Sequence, residues 1–353
     1  MSQRIFVRPS WSFHDTDGNT LNPQLLVLLS GIQQTGKLSK AAEAASISYR
    51  HSWNLLQQAE TFFGRPVARL RKGRGATLST LGEKLLWAEH RLAARLNPQM
   101  DNLASELNIE IHKEIASVSP LLRLHASHGY AVALLPNFTE GFQLDLQYRS
   151  PIEAISALSR GICDLAGIHV PADIWIAPLM ARYADYLQTE DYAVIRFITR
   201  QQGLMVAPGN PHRITNIQDL ARPPLKFINR QSDSGTRALL DRLLDDAQID
   251  NSDVSGYLDE EFTHTAVAAF VAAGMADIGF GVEAAARQFG LDFIPVTREH
   301  YLLLCHRTTL ASVACEQFLV QIRSPQFRDS VATLPGYQTE RCGVIETLSE
   351  HLP

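Results

Sequence analysis

The sequence predicts a multidomain chain, in which a helical N-terminal module and a linker helix precede a two-lobed α/β body. Three observations predict it. The first hundred residues carry 13 Lys+Arg against 6 Asp+Glu, whereas the rest carry 19 against 31, so a basic head precedes an acidic body. Apolar residues in the head recur at helical spacing. Farther along, short apolar runs alternate with helical patterns, the order that builds a parallel sheet with crossover connections. At 353 residues the chain has length for two or three domains and at least one large core. The boundaries read from these patterns are 1–80 for the head, 81–117 for a linker helix and hinge, and 118–345 for the body.

Taken in order, "RIFVRPSWSFHDTDGNTLNPQ" alternates and then turns at Asp17-Gly18-Asn19, predicting a short hairpin. The helix in "NPQLLVLLSGIQQTG" takes Asn22 as its cap, Pro23 at its first position and Gly36 at its stop. "KLSKAAEAAS" gives a second helix that Ser39 can cap, and its Ala41, Ala42, Ala44 and Ala45 permit a neighbouring helix to approach closely. After a break at Ser46, Ser48 caps a third helix, in which Trp53, Leu56, Ala59 and Phe63 form the apolar face. Tyr49, Arg50 and Asn54 are left near the opposite face at its N-terminal end. Helix, tight turn and second helix with polar N-terminal residues is the arrangement of a helix-turn-helix.

"RPVARLRKGRGATLSTLGEKLL" then reads as strand, turn, strand and helix, with Arg71, Lys72 and Arg74 on the tip. Such a basic wing neutralises backbone phosphates or enters a minor groove, positioning the protein without reading sequence. Arg50 suits a guanine edge and Asn54 an adenine edge. Tyr49 divides evenly between phosphate contact and packing, and Trp53 is expected in the core. From Thr80 a long helix, running to about Asn97, offers Leu81, Leu85, Trp87, Leu92 and Leu96 either to a second copy or to its own chain.

On these residues the first hundred positions resemble the DNA-binding domain of molybdate-responsive ModE-type regulators, themselves similar to LysR-type regulators. Ser48, Tyr49, Arg50 and Trp53 meet the S-Y-[KR]-x-x-W signature, and Ser46 stands where a glycine is frequent. The resemblance implies a winged helix-turn-helix that binds DNA as a dimer. Its interface would comprise Ser39, Ser48, Tyr49, Arg50, Asn54, Arg71, Lys72 and Arg74.

In the body, "LLRLHAS", "FQLDLQYRS" and "CDLAGIHV" read as strands, with "HGYAVALLPNFT" and "PIEAISALSRG" as helices between them. The same grammar returns from "KFINR" to "LDFIPV", predicting a second lobe. "YAVIRFITRQQGLMVAPGNPHRI" fits the crossover between lobes and "EHYLLLCHRTT" the return strand. Two stretches, "ALSRGICDLAGIHV" and "AVAAFVAAGMADIGFG", echo one another as helix, glycine and a strand opening on Asp164 or Asp277. Residues from about 118 to 340 resemble periplasmic-binding-protein-like sensor domains related to molybdate-binding proteins. "NRQSDSGTRALLDRLL" and "THTAVAAFVAAGMADIGFG" are the most specific pieces, and Ser232-Asp233 depart from the family pattern.

Ligands in open α/β lobes gather beyond the carboxyl ends of strands, where helix N-termini favour anions. Three such junctions carry hydroxyls or imidazoles: Ser127-His128, Ser234 with Thr236 and Arg237, and Thr263-His264-Thr265. His169 can join them from the first lobe. These types donate to oxygen, so a small oxyanion or carboxylate is the natural guest. Arg237 stands equally between neutralising that guest and bracing the fold, Ser127 and Thr236 can be simple caps, and His264 can be a satisfied structural imidazole.

The sensor resemblance implies molybdate or tungstate. The whole-chain layout resembles regulators of formate dehydrogenase operons, which makes formate a chemically reasonable effector. No nucleophile elbow, phosphate loop or dinucleotide fingerprint is present, so an enzyme is not expected. Four scattered cysteines suit a reducing cytoplasm and no metal site. Neither a signal peptide nor a membrane span is expected. The reading is a cytoplasmic one-component regulator, a homodimer or homotetramer on double-stranded DNA, without cofactor. The alternative is an oxyanion storage or delivery protein.

Overall fold

The computed structural model describes residues 12–71, 75–115, 119–172, 186 and 191–348. They form two compact units that divide between Leu96 and Asn97, inside a single long helix.

The head contains α1 (Gln24–Thr35), α2 (Leu38–Ala44), α3 (Tyr49–Phe63), an antiparallel hairpin of β1 (Ala68–Arg71) and β2 (Gly75–Leu78), and the start of α4 (Thr80–Ile115). Its core gathers Leu25, Leu28, Leu29 and Ile32 of α1, Ala41 of α2, Leu55, Leu56 and Ala59 of α3, Val67, Ala76 and Leu85. Gly31 lies so close to Ala41 that a Cβ there would meet the Ala41 Cα at 2.8 Å, so a small residue is required on both sides of the α1–α2 contact. Asn22 Oδ1 accepts from Gln24 N–H at 2.9 Å, and Gly36 closes the helix in the left-handed region. Ser46 adopts φ +55°, the conformation a glycine at this turn would take without a Cβ penalty.

Some expectations for the head are corrected. Ser39 lies inside α2, whose cap position is held by Lys37 without a side-chain bond. Trp53 is 46% exposed; Ser52, Leu55, Leu56 and Ala59 form the inward face of α3, and Phe63 is half-buried. Of the early hairpin, the described part is a bridge between His14 and Thr20. α4 does not stop near Asn97 but continues through Pro98 for 36 residues in all.

The body is built on one sheet whose strands lie in the order 143–148, 121–126, 165–171, 292–306, 192–206, 278–282, 227–230 and 260–261. Its first lobe holds β3 (Leu121–Ala126), β4 (Gln143–Tyr148), α5 (Pro151–Ser159) and β5 (Leu165–Pro171), with β3 parallel to both β4 and β5. A 3-10 turn, Val132–Asn137, stands where a helix was expected. The second lobe holds β7 (Phe227–Arg230), α6 (Gly235–Asp246), β8 (Glu260–Glu261), α7 (His264–Ala272), β9 (Ile278–Val282) and α8 (Glu283–Gln288). Each lobe has its own apolar core, one around Ile155, Leu158, Ile168 and Leu304, the other around Phe227, Leu240, Ile278 and Phe280.

The lobes are joined by two 15-residue antiparallel strands, β6 (Tyr192–Val206) and β10 (Asp292–His306). β10 unites two segments that the sequence suggests as separate, and its register shifts at Pro295/Thr297 and Tyr301/Leu302. After α9 (Val313–Arg323) and α10 (Pro325–Ala332), β11 (Tyr337–Gln338) and β12 (Ile345–Thr347) both pair with β6.

The echo between lobes has a mechanical basis. Asp164 accepts from the backbone N–H of Arg123 at 2.8 Å, and Asp277 accepts from that of Lys226 at 2.8 Å. Each aspartate thus ties the start of its strand to the neighbouring one. The far part of α4 closes a sheet edge: Asn102 Oδ1 accepts from Tyr148 N–H at 2.6 Å and Ser105 Oγ from Leu146 N–H at 3.0 Å. Covering edge groups in this way blocks edge-to-edge association. Among the described residues no helix is long and apolar enough to cross a membrane.

Candidate functional sites

In the head, Ser48 Oγ accepts from His51 N–H at 3.1 Å and fixes the start of α3. The first turns then present Tyr49, Arg50, Trp53 and Asn54 to solvent, with Tyr49 58% exposed. Ser39 is exposed on α2. Arg71 is exposed at the end of β1, and Arg69 on the same strand adds a cation that the sequence reading passed over. Lys72 and Arg74 lie outside the described residues. The result is a capped helix whose exposed side carries a guanidinium, an amide and two aromatic rings, beside a hairpin with further cations. Such a surface suits a polyanion with readable edges.

In the body, the middle of the two crossing strands carries a buried polar cluster. Arg200 and Glu299 stand opposite one another on β6 and β10 and form an ion pair, with Arg200 Nε to Glu299 Oε2 at 2.8 Å and both residues at most 2% exposed. The pair is tied to both lobes. Arg200 Nη2 donates to His169 Nδ1 at 3.2 Å on the first lobe. Gln202 Nε2 donates both to Glu299 Oε2 at 2.9 Å and to Thr236 Oγ1 at 3.3 Å on the second.

The helix junctions converge on the same region. Ser234 Oγ caps α6 by accepting from Arg237 N–H at 3.1 Å, and Thr263 Oγ1 caps α7 by accepting from Ala266 N–H at 3.0 Å. His264 is buried at the start of α7, and its Nδ1 has no hydrogen-bond partner. Gln202 Oε1 is likewise buried without one. Arg230, at the end of β7, is buried and donates to Gln231 Oε1 and to the Phe262 carbonyl, both at 3.0 Å. The neighbouring strand brings Glu261 into register with it, fully buried.

Electrostatics make the imidazoles neutral. Burial, then the Arg230 charge, holds His128 down at about 4. Burial and the Arg200 charge hold His169 at about 3, against the pull of Glu299. His264 is lowered well below its ordinary value by burial and then by Arg230 and Arg200. Because a guanidinium only donates, His169 Nδ1 is the acceptor and its proton sits on Nε2. Burial lowers Arg230 to about 9, with Arg200 adding to the effect. Glu299 is raised by burial but lowered more by Arg200, His169 and Gln202, so it remains a carboxylate.

The remaining sequence-predicted residues divide. Thr265 bonds Tyr130 OH at 3.0 Å across the lobes, while Tyr130 OH donates to Gln288 Oε1 at 2.6 Å. The Ser127 carbonyl accepts from Tyr301 OH at 3.3 Å. Arg237 turns to Asp241 at 2.9 Å and Glu260 at 3.0 Å, with its guanidinium over the Tyr257 ring, which is the bracing alternative. Arg200, Gln202, Arg230 and Glu299 were not singled out from sequence. Arg200 and Gln202 carry a readable signal, since they share one strand face within the polar run Thr199-Arg200-Gln201-Gln202 that interrupts an otherwise mostly apolar strand.

Comparison with known families also returns a match for the body. A family model described as the PBP superfamily domain matches residues 133–323, more than half of the chain. The chain belongs to the PBP superfamily. Within and beyond it, YvgK of Bacillus subtilis, an uncharacterized protein, is 31% identical over 208 residues, which are 57% of this chain and 65% of that protein. The chain thus spans less than two thirds of that relative. ModE of Azotobacter vinelandii, a molybdenum transport protein, is 27% identical over 27% of this chain and 37% of its own length. Among solved structures, OxyR of Corynebacterium glutamicum aligns over 88% of this chain and 93% of its own at 15% identity and a TM-score of 0.45.

Proposed function

We propose that this PBP-superfamily protein is a transcription regulator, whose winged helix-turn-helix head binds a double-stranded DNA operator while the two-lobed body senses a small anion. The observation that carries the reading is the exposed face of α3. Tyr49, Arg50, Trp53 and Asn54 stand in solvent on the first turns of a helix fixed by Ser48, and two of the four are large aromatic rings one helical turn apart, which a merely solvated polar face does not require. Base edges are read by Arg50 and Asn54, and Arg69, Arg71 and the wing hold the phosphates. The body binds rather than transforms its ligand, between helix N-termini and neutral imidazoles. Formate and the oxyanions molybdate and tungstate are the effectors that the resemblances support. A homodimer or homotetramer on a pseudo-palindromic site completes the reading. Leu103 and Leu107, one helical turn apart and both exposed, offer apolar surface for that assembly.

Effector control requires that the ligand prefer one conformation of the body, and the available coupling is about 1–3 kcal/mol in typical systems. The test is gel-shift binding across salt concentrations. Affinity for a cognate operator falls in the Arg50→Ala/Asn54→Ala double variant while affinity for random DNA changes little. Equal losses on both would reduce these residues to phosphate contacts. Absence of any salt-dependent DNA binding would leave an anion storage or delivery role.

A further inference from the structure

Among the described residues, the buried cluster contains two guanidiniums and one guanidinium–carboxylate pair. Arg200 and Glu299 satisfy one another across the crossing strands and sum to no net charge. Arg230 is only 8% exposed and bonds two neutral oxygens, with no carboxylate at ion-pair distance among the described residues. The carboxylates that act on it from farther away are Asp233, which is exposed, and Glu299, which is already paired, while Glu261, in register with it on β8, has an interaction of its own. A buried cation in this position is costly unless an anion joins it.

Two further atoms mark the same place as incomplete. His264 Nδ1 and Gln202 Oε1 are both buried without partners, a condition native folds rarely leave. In the right tautomer His264 donates to an anion. Gln202 Oε1 needs an N–H or O–H, which a ligand hydroxyl or an accompanying water provides. The neutral imidazoles of His128 and His169 contribute donors and no charge.

From this arrangement we infer that Arg230 is the counter-ion of the ligand and that the site accepts a small anion carrying one negative charge, such as a carboxylate. The inference rests on the anion-sensing reading of the body. A divalent oxyanion would bring a second charge that no free cation among the described residues of the cluster meets, close to the Glu299 carboxylate.

The experiment is calorimetry on the full chain near neutral pH at constant ionic strength, with formate, acetate and nitrate set against sulfate, molybdate and tungstate. At least one univalent probe binds, and every divalent probe binds about tenfold or more weakly than it. In Arg230→Gln the univalent affinity falls about ten- to a hundredfold, the worth of one charged hydrogen bond, and Arg230→Lys recovers part of it. Melting curves establish that both variants are folded, and the order of wild-type affinities tests the charge rule without either. Divalent probes that bind as tightly as univalent ones overturn the inference, as does unchanged affinity in folded Arg230→Gln. If none of the six probes binds while the operator gel shift persists, the anion-sensing reading itself falls and takes this inference with it.

Discussion

The head and the body handle polar side chains in opposite ways. In the head, Tyr49, Arg50, Asn54 and Arg71 stand in water on a helix and a hairpin. In the body, Arg200, Gln202, Arg230, His264 and Glu299 are almost fully withdrawn from solvent. Meeting a large polyanion requires charges that remain hydrated until contact, because long-range attraction and counterion release do the work. Discriminating among small solutes requires donors fixed in advance in a medium of low polarity, where each is worth more and each mismatch costs more. The lesson is that removing a functional side chain should affect binding alone in the head, but binding and folding together in the body.

The largest expected effect tests the body half of that contrast. Glu299→Leu leaves Arg200 buried without its partner, and urea denaturation should show a loss of about 3–5 kcal/mol. A loss below about 1 kcal/mol would mean that the pair is not sealed from water. Next comes acid sensitivity. The neutral imidazoles of His128 and His169 have folded values of about 4 and about 3, below the ordinary value of 6.5. Their contribution is therefore fully present above about pH 6.5 and declines as pH falls through 5. The slope is about 1.4 kcal/mol per pH unit for each imidazole, readable from denaturation midpoints at successive pH values. A flat profile between pH 7 and 5 would contradict neutral burial.

The head supplies the smaller effects. Arg50→Ala or Asn54→Ala should each weaken operator binding by about 1–3 kcal/mol. Stability should stay within about 0.5 kcal/mol, since neither side chain packs. A melting temperature that drops with either would erase the distinction drawn above. Ser46→Gly should stabilise the head slightly, by about 0.5–1 kcal/mol. Relief of the left-handed conformation there exceeds the extra chain entropy of glycine. Thermal unfolding of wild type and variant measures it.

Legibility in the sequence follows the same division. Helical periodicity exposed the head because its elements are local, and Gly36 and Ser48 act at its helix ends as their types dictate. Trp53 escaped because an aromatic residue beside an apolar stripe satisfies the pattern whether it lies on the stripe or at its margin. Ser52, small and polar, took the inward position instead. The long helix was read only to about Asn97, yet α4 runs on through Pro98 although proline removes a backbone donor there. In the body, junction residues such as His169, Thr236 and His264 were legible from strand–helix grammar. The Arg200–Glu299 pair was not, because its members lie 99 positions apart and meet only through the pairing of β6 with β10. Side chains from α4 capping the edge of β4 were invisible for the same reason.

The two crossing strands set the manner in which the body can move. They lie side by side in the middle of a continuous hydrogen-bonded ladder, so parting the lobes cannot resemble a gate swinging on loose pins. It must be absorbed as torsion along β6 and β10, and the irregular registers flanking Thr297–Tyr301 are where that torsion is most easily taken up. Arg200 and Glu299 sit within this twisting section, so any change of lobe angle is also a strain on their mutual grip.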